Sequence, residues 1–354
     1  SGGGLMRVFT ILPQRHWRDV APAAREAEAA GFDALMTVEL GHDPITPLSL
    51  AALVTDRAEL TPSVVVAFPR SPTVLAQQAW DIHANSNGRF VLGLGSQVKG
   101  HNERRFGITW TPPAPRMRDY VQALRAVWRA WETRGRLNYD SPHYKLTLMT
   151  PDFSPEPTGL PMPAVTVAAV GEAMLRVAGQ VGDGVRLHPL CSRAYLEQVC
   201  MPQMMEGMRR SGRSRLNFDV HGGGFVCTGP DEQTVAAEME KARRRIGFYG
   251  STRTYLPILS LHGLQDLGLK LHRMSVEGQW DRMTAEISDD TVRIFAACGT
   301  YAELPSAIEK RFGGIADSID IHLPAGTPVG LARELVADIK RIPHTFAGFN
   351  TNWQ

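Results

Sequence analysis

Hydrophobic and polar positions along the chain follow two periods. Short β-branched or apolar runs are each followed by a longer stretch in which apolar residues recur every three or four positions, the pattern of a parallel sheet wrapped by helices. Eight such runs can be counted, at residues 8–12, 34–38, 63–68, 90–94, 165–169, 184–187, 219–226 and 318–322. The third, Ser63-Val64-Val65-Val66-Ala67-Phe68, is almost wholly apolar, as a strand covered on both faces should be. A helix expected over 17–30 stops at Gly31, and the helix after the second run starts at Pro47, where a missing N–H costs nothing.

Eight strand-and-helix units in 354 residues predict an α/β protein built as a closed (β/α)8 TIM barrel, with an open doubly wound sheet as the alternative. Three stretches interrupt the alternation: 97–115, a hairpin and Pro-rich loop over 137–163, and a helical excursion over 252–282. They are expected as insertions over the C-terminal face, where long loops on a barrel cover the active site. The expected boundaries are a cloning remnant over 1–5, a single barrel domain over 6–346 and a C-terminal tail over 347–354. Phe349 and Trp353 of that tail either stay loose or dock on a neighbouring subunit.

Composition narrows the partners. With 38 basic against 36 acidic side chains the chain carries a formal charge of +2, too little for the broad basic field that binds nucleic acid. No apolar run approaches the roughly 20 residues that cross a bilayer, and the first residues lack the regions of a signal peptide. A cytoplasmic protein with a small-molecule partner is the expectation. Cys191, Cys200, Cys227 and Cys298 show no CxxC spacing and no regular framework, so they read as buried small hydrophobes in a reducing compartment.

Chemistry in such a barrel gathers where strands end and the following loops begin. Glu39-Leu40-Gly41-His42-Asp43-Pro44 follows the second run and sets His42 among carboxylates, either as a proton donor or acceptor or as a loop residue tying Glu39 or Asp43 in place. His188, directly after the sixth run, has the same two readings. His322 is equally well explained by a strand with one polar face, and His221, before Gly222-Gly223-Gly224, reads as structural. Gly93-Leu94-Gly95-Ser96 lacks the third glycine of the dinucleotide fingerprint, because Val98 stands there. Ala168-Ala169-Val170-Gly171-Glu172 opens a helix; its small residues either let backbone N–H groups receive an anion such as phosphate or merely relieve crowding. With no HExxH, GxSxG or Walker pattern, neither a metal nor a serine nucleophile is expected.

Taken together these segments resemble the luciferase-like flavin and deazaflavin oxidoreductases. The resemblance runs from Val8 to about Ile342 and rests on Glu39 to Pro44, Val66-Ala67-Phe68-Pro69-Arg70-Ser71-Pro72, Gly88-Arg89-Phe90-Val91-Leu92-Gly93-Leu94-Gly95 and Asp183-Gly184-Val185-Arg186-Leu187-His188-Pro189. Gln97-Val98-Lys99, Arg104-Arg105-Phe106 and Leu148-Met149-Thr150-Pro151 are similar to the F420-dependent branch. The resemblance implies a homodimeric oxidoreductase that transfers a hydride between the deazaflavin coenzyme F420 and a small organic substrate. It implies a ring resting on a bulged third strand at Val64, Val65 and Val66, often with a non-prolyl cis peptide. Gly95 and Ser96 would approach the ring or its ribityl chain, Asn102 would hydrogen-bond nearby, and Ala169, Val170 and Gly171 would present N–H groups to the cofactor phosphate. Proton handling falls to His42, supported by Glu39, with His188 second. A reduced-FMN monooxygenase consuming oxygen is the alternative, and a barrel that binds the deazaflavin without catalysis is a third. The family's sugar-phosphate dehydrogenases carry a glutamate after strand four and a tryptophan soon after the strand-two histidine. Here Val98 or Lys99 and Ile45 stand in those neighbourhoods, so that substrate class is not expected.

Overall fold

A computed structural model describes residues 4–324 and 326–353, so most of the expected cloning remnant and the last residue of the tail lie outside the described residues. Along the chain the strands are β1 (Arg7–Ile11), β2 (Ala34–Thr37), β3 (Glu59–Pro62), β4 (Val65–Val66), β5 (Val91–Gly95), β6 (Tyr139–Asp140), β7 (Lys145–Leu146), β8 (Ala164–Ala169), β9 (Gly184–Leu187), β10 (Asp219–His221), β11 (Phe225–Gly229), β12 (Ala296–Thr300) and β13 (Ser318–Asp320). Nine of them form one sheet in the order β3-β2-β1-β13-β10-β9-β8-β5-β4. The pairs β1–β2, β2–β3, β4–β5, β5–β8 and β10–β13 are all parallel. The order begins at β3 and ends at β4, which are two halves of one stretch of chain. The sheet therefore closes on itself with eight positions, the (β/α)8 class read from the sequence.

The third position corrects the sequence reading. The run 63–68 was expected as the clearest strand, but the pairing strand is Glu59–Pro62, and only Val65–Val66 resumes it. Leu60 stands opposite Phe90, an offset of 30, whereas Val65 stands opposite Leu94, an offset of 29. One extra residue has entered the third strand between them, which defines a bulge. The peptide bond Ser63–Val64 within it is cis. Before the bulge the strand bonds to β2, with Ser63 N–H on Thr37 O at 2.7 Å; after it the strand follows β5, with Ala67 N–H on Gly95 O at 2.9 Å. Glycine makes this approach possible. A Cβ on Gly93 would stand 2.1 Å from the Pro62 carbonyl oxygen, and one on Gly95 would stand 2.5 Å from Val64 Cγ2. The glycines that failed as a dinucleotide fingerprint are spacers for a bulged neighbour.

Contacts gather the chain into two compact units, one of Phe9–Arg186, Gln203–Asp219 and Phe346–Gln354, the other of Ser1–Val8, Leu187–Pro202 and Val220–Thr345. In the first, the stretch 97–115 holds the short helix Lys99–Arg104, and the expected hairpin is the antiparallel pair β6–β7. The C-terminal residues, read as loose or as docking on another subunit, are instead tied to their own chain. Trp353 lies between the guanidinium groups of Arg125 and Arg213, each 3.9 Å from its ring centroid. Its indole N–H donates to Asp183 Oδ1 at 2.9 Å. A desolvated cation over an indole is worth on the order of 2 kcal/mol, enough to order a short terminus.

In the second unit the run 219–226 divides. After β10, Gly224 turns the chain with φ +117°, and β11 pairs in parallel with β12 in a separate two-stranded sheet. The sequence reading missed β12 because Ala296-Ala297-Cys298-Gly299-Thr300 contains only one β-branched residue. The excursion 252–282 is helical over Leu256–Leu261 and Gln265–Val276, as expected. Among the described residues no helix is long and apolar enough to cross a membrane.

The bulge predicts a sharp contrast between glycines. Gly93→Ala drives a methyl against backbone and should cost about 3 kcal/mol, whereas Gly41→Ala, with nothing within 4 Å of its added carbon, should stay within about 0.5 kcal/mol. Urea unfolding of both variants measures the difference.

Candidate active site

The loop after β2 is fixed before any ligand is considered. Gln14 receives the Val38 N–H on Oε1 at 2.8 Å and donates through Nε2 to Val38 O at 2.8 Å. Asp43 Oδ2 accepts the Thr46 N–H at 2.7 Å and so satisfies the first N–H of the helix Thr46–Ala52, whose N-cap position is Ile45. Burial pushes the Asp43 carboxyl up, but these hydrogen bonds to Thr46 outweigh it and hold the group below the usual carboxylate range. Asp43 is thus committed to the backbone.

Glu39 is committed elsewhere. Its Oε2 accepts the Val66 N–H at 2.5 Å and Arg70 Nη1 at 2.9 Å, and its Oε1 accepts Arg70 Nη2 at 2.8 Å. Because Ala67 N–H points toward β5, the preceding N–H of Val66 points the other way, to where the β2 ladder would have continued. The Glu39 carboxylate takes the place of the missing strand carbonyl, and Arg70 balances its charge in a fork-to-fork pair. The expected support of His42 by Glu39 is not what the geometry presents. His42 is exposed, and its ring makes no hydrogen bond among the described residues. Its loop is held from the far side by Arg105, whose Nη2 donates to Leu40 O at 2.9 Å.

Val64, Val65 and Val66 form the bulge, and Gly95 ends the strand beside it. Ser96 follows, with its carbonyl accepting from Asn102 Nδ2 at 3.0 Å; the same amide donates to Val98 O at 3.0 Å. Asn102 is fully buried, and its Oδ1 has no partner among the described residues. Ala169 ends β8, Val170 follows, and Gly171 is the N-cap of the helix Glu172–Val181. Space is open where a Gly171 side chain would be.

In the other unit His188 packs edge-on to Tyr249 and stacks on Tyr255, with ring centroids 4.4 and 4.6 Å away. Its Nδ1 accepts the Leu190 N–H at 3.0 Å, which places the proton of the neutral ring on Nε2. Burial first, and Arg245 second, lower its pKa to about 4, so it is uncharged at neutral pH. The same unit holds a chain of polar groups that the sequence reading set aside. His221 Nδ1 lies 2.9 Å from Ser318 Oγ and its Nε2 3.0 Å from Asp320 Oδ1, while Asp320 Oδ2 lies 2.7 Å from His322 Nε2. Burial would raise the Asp320 carboxyl, yet its bonds to both histidines hold it far below the ordinary range. Alternation in Ser318-Ile319-Asp320-Ile321-His322 was the available signal, and it was read as no more than a polar face. Arg70, the partner of Glu39, is another charged group whose partner is set by the fold. No group of three or more His, Cys, Asp or Glu suited to a metal occurs among the described residues.

This barrel, with its bulged third strand and the loops that follow the strands, can be set beside known proteins. The chain belongs to the luciferase-like monooxygenase family, whose model matches residues 6–317, and it is an oxidoreductase of that family. It is 43% identical over 319 residues to an uncharacterised protein of Mycobacterium tuberculosis, covering 90% of this chain and 94% of that one. It is 26% identical to the 5,10-methylenetetrahydromethanopterin reductase of Archaeoglobus fulgidus, over 90% of this chain and 92% of the relative. The coenzyme F420-dependent tetrahydromethanopterin reductase of Methanopyrus kandleri shares the fold, with a TM-score of 0.74 at 19% identity, over 94% of this chain and 97% of the other.

Burial of His188 makes part of the stability depend on pH. A histidine with pKa near 4 folded and about 6.5 unfolded contributes stability that is complete above pH 6.5 and is lost as pH falls toward 4, roughly 3 kcal/mol in all. His188→Asn keeps an acceptor for Leu190 and removes the titration. Its stability deficit against the wild type at pH 7 should shrink by about that amount at pH 4, as read from urea unfolding at the two pH values.

Proposed function

We propose that this protein is an F420-dependent oxidoreductase that exchanges a hydride between the deazaflavin ring and a small organic substrate. The observation that carries the reading is the strand order β8-β5-β4. The three segments implied for the cofactor, Val64 to Val66, Gly95 with Ser96 and Asn102, and Ala169 to Gly171, follow or form the ends of three adjacent parallel strands. Neighbouring strands lie about 4.8 Å apart, so the bulge and the Gly171 turn stand on the order of 10 Å from each other, a span suited to a ring at one end and a phosphate at the other.

The residues present fit such a group. The buried Asn102 oxygen lacks a partner, and the space at Gly171 is open in front of a ten-residue helix. Main-chain N–H groups at that N-terminus, with the helix dipole behind them, would hold the phosphate. Val64, Val65, Gly95 and Ser96 would support the ring, and Asn102 would fix the loop that carries Ser96. When bound, the deazaflavin supplies a carbon that gives or takes a hydride; the chain's own task is to orient the substrate and manage one proton. His42 is our candidate for that proton, since its ring is exposed and unengaged. Glu39 is a positioning residue that fixes the bulge. His188 would act only as a neutral hydrogen-bond donor through Nε2. The relatives that are named reductases support hydride transfer over oxygen chemistry, and a homodimer is the assembly we infer from the family likeness.

Anaerobic fluorescence titration with oxidised F420 and with FMN tests the cofactor. F420 should bind at micromolar concentration or tighter, and tight FMN binding, together with oxygen uptake in a separate aerobic assay supplied with reduced FMN, would overturn the proposal in favour of a monooxygenase. Gly171→Asp tests the phosphate turn: Gly171 has extended backbone, φ −81° and ψ 157°, so aspartate is a good N-cap there. Thermal stability should hold or rise while F420 affinity falls at least about tenfold.

A further inference from the structure

The four cysteines, widely spaced in sequence, stand in the structure as two adjacent thiol pairs. Cys191 lies beside Cys200 and Cys227 beside Cys298, near enough within each pair for one thiol to alter the proton affinity of the other. All four are free thiols. The second pair has its geometry fixed by the backbone, because Cys227 and Cys298 are direct partners in the parallel register of β11 and β12. In-register side chains of parallel neighbours project to the same face, and the strands lie about 4.8 Å apart. A disulfide requires Cα atoms roughly 4.4–6.8 Å apart, so the register already meets that requirement.

The two sulfurs of this pair differ in access and charge. Cys227 is buried, at 1% exposure, while Cys298 is only partly covered. Arg293, exposed on the helix Asp289–Phe295 that leads into β12, and the buried Arg311 both place positive charge near Cys298; Asp289 opposes them. Arg311 donates to the carbonyls of Ile294, Cys191 and Gly223 and has no carboxylate partner among the described residues. A thiolate is therefore the anion it has within reach, Cys191 first and Cys298 next, and of these two sulfurs only Cys298 is partly open to solvent. The neighbouring Cys227 thiol, against the upward push of burial, holds the Cys298 thiol below its usual range; the Cys298 S–H has the Ala296 carbonyl as its acceptor, 3.8 Å away.

We propose that Cys298 and Cys227 form a peroxide-reactive thiol pair, in which Cys298 is the attacking sulfur and Cys227 resolves it into a cross-strand disulfide. The Cys298 thiolate attacks one oxygen of a hydroperoxide, the O–O bond breaks, and the departing alkoxide or hydroxide takes the proton that Cys298 released on ionising and leaves as alcohol or water, giving a sulfenic acid. The Cys227 sulfur then attacks the Cys298 sulfur, the S–O bond breaks, and water departs with the Cys227 proton. Two thiols are oxidised by two electrons, and one hydroperoxide is reduced. Cys191 and Cys200 provide an internal contrast, because both are buried, at 4% and 1% exposure, and no reagent reaches either without opening the fold.

Peptide mass mapping after brief treatment of the full chain with hydrogen peroxide, then alkylation in denaturant, reads the outcome. A 227–298 linked peptide should form while Cys191 and Cys200 are recovered as free thiols. Cys227→Ser should leave Cys298 as a sulfenic acid trapped by dimedone, with no linked peptide, and Arg293→Gln should slow linkage of the wild-type pair several-fold. Should the Cys227 variant fail to fold, the wild-type map and the Arg293 variant still decide. The proposal is overturned if Cys298 stays reduced when exposed Met205 has become sulfoxide, if Cys298 passes to sulfinic acid without linkage, or if Cys191–Cys200 links first.

Discussion

One additional residue in the third barrel strand is the constraint on which the site depends. It ends the hydrogen-bonded ladder to β2 after Ser63, turns Val66 N–H toward no strand carbonyl, and brings backbone and side chain hard against β5. Each consequence has a named answer. Glu39 receives the Val66 N–H, Arg70 neutralises Glu39 in a two-point pair, and Gly93 and Gly95 clear the space that a Cβ would occupy. An unpaired buried N–H costs about 1–3 kcal/mol, so the carboxylate is not an ornament of the loop but a replacement for sheet.

The same arrangement divides the charged groups of the β2 loop by task. Glu39 supports the bulge, Asp43 takes the first N–H of a helix, and His42 is left without an intramolecular partner among the described residues. A histidine flanked by two carboxylates in sequence is thus flanked by neither in hydrogen bonding. Within the other unit the order is reversed: Asp320 is the carboxylate that two histidines share.

Much of this was legible from sequence, and the failures have physical reasons. Period-two and period-3.6 hydrophobicity marked the barrel and placed strands such as Gly184–Leu187 to the residue, because each is a buried apolar run between helices. The third strand was misplaced because Val64, Val65 and Val66 are the strongest β-formers there, while the true strand Glu59–Pro62 contains a charge and a proline; pairing at that position is decided by register, which a single run does not encode. Resemblance to a family supplied the bulge itself. The tasks of Glu39, Arg70 and Asp320 were illegible because each partner lies far along the chain or was read as one polar face. The Trp353 anchor was missed for the same reason: Arg125, Asp183 and Arg213 converge on it only through the fold.

Equilibrium binding of oxidised F420 to Glu39→Gln, measured beside the thermal unfolding of the same sample, decides whether the Glu39-braced bulge is the shelf for the proposed cofactor. If it is, the variant keeps a cooperative unfolding transition and its F420 affinity falls about thirtyfold, ~2 kcal/mol. A folded variant that binds F420 as tightly as the parent would contradict that role.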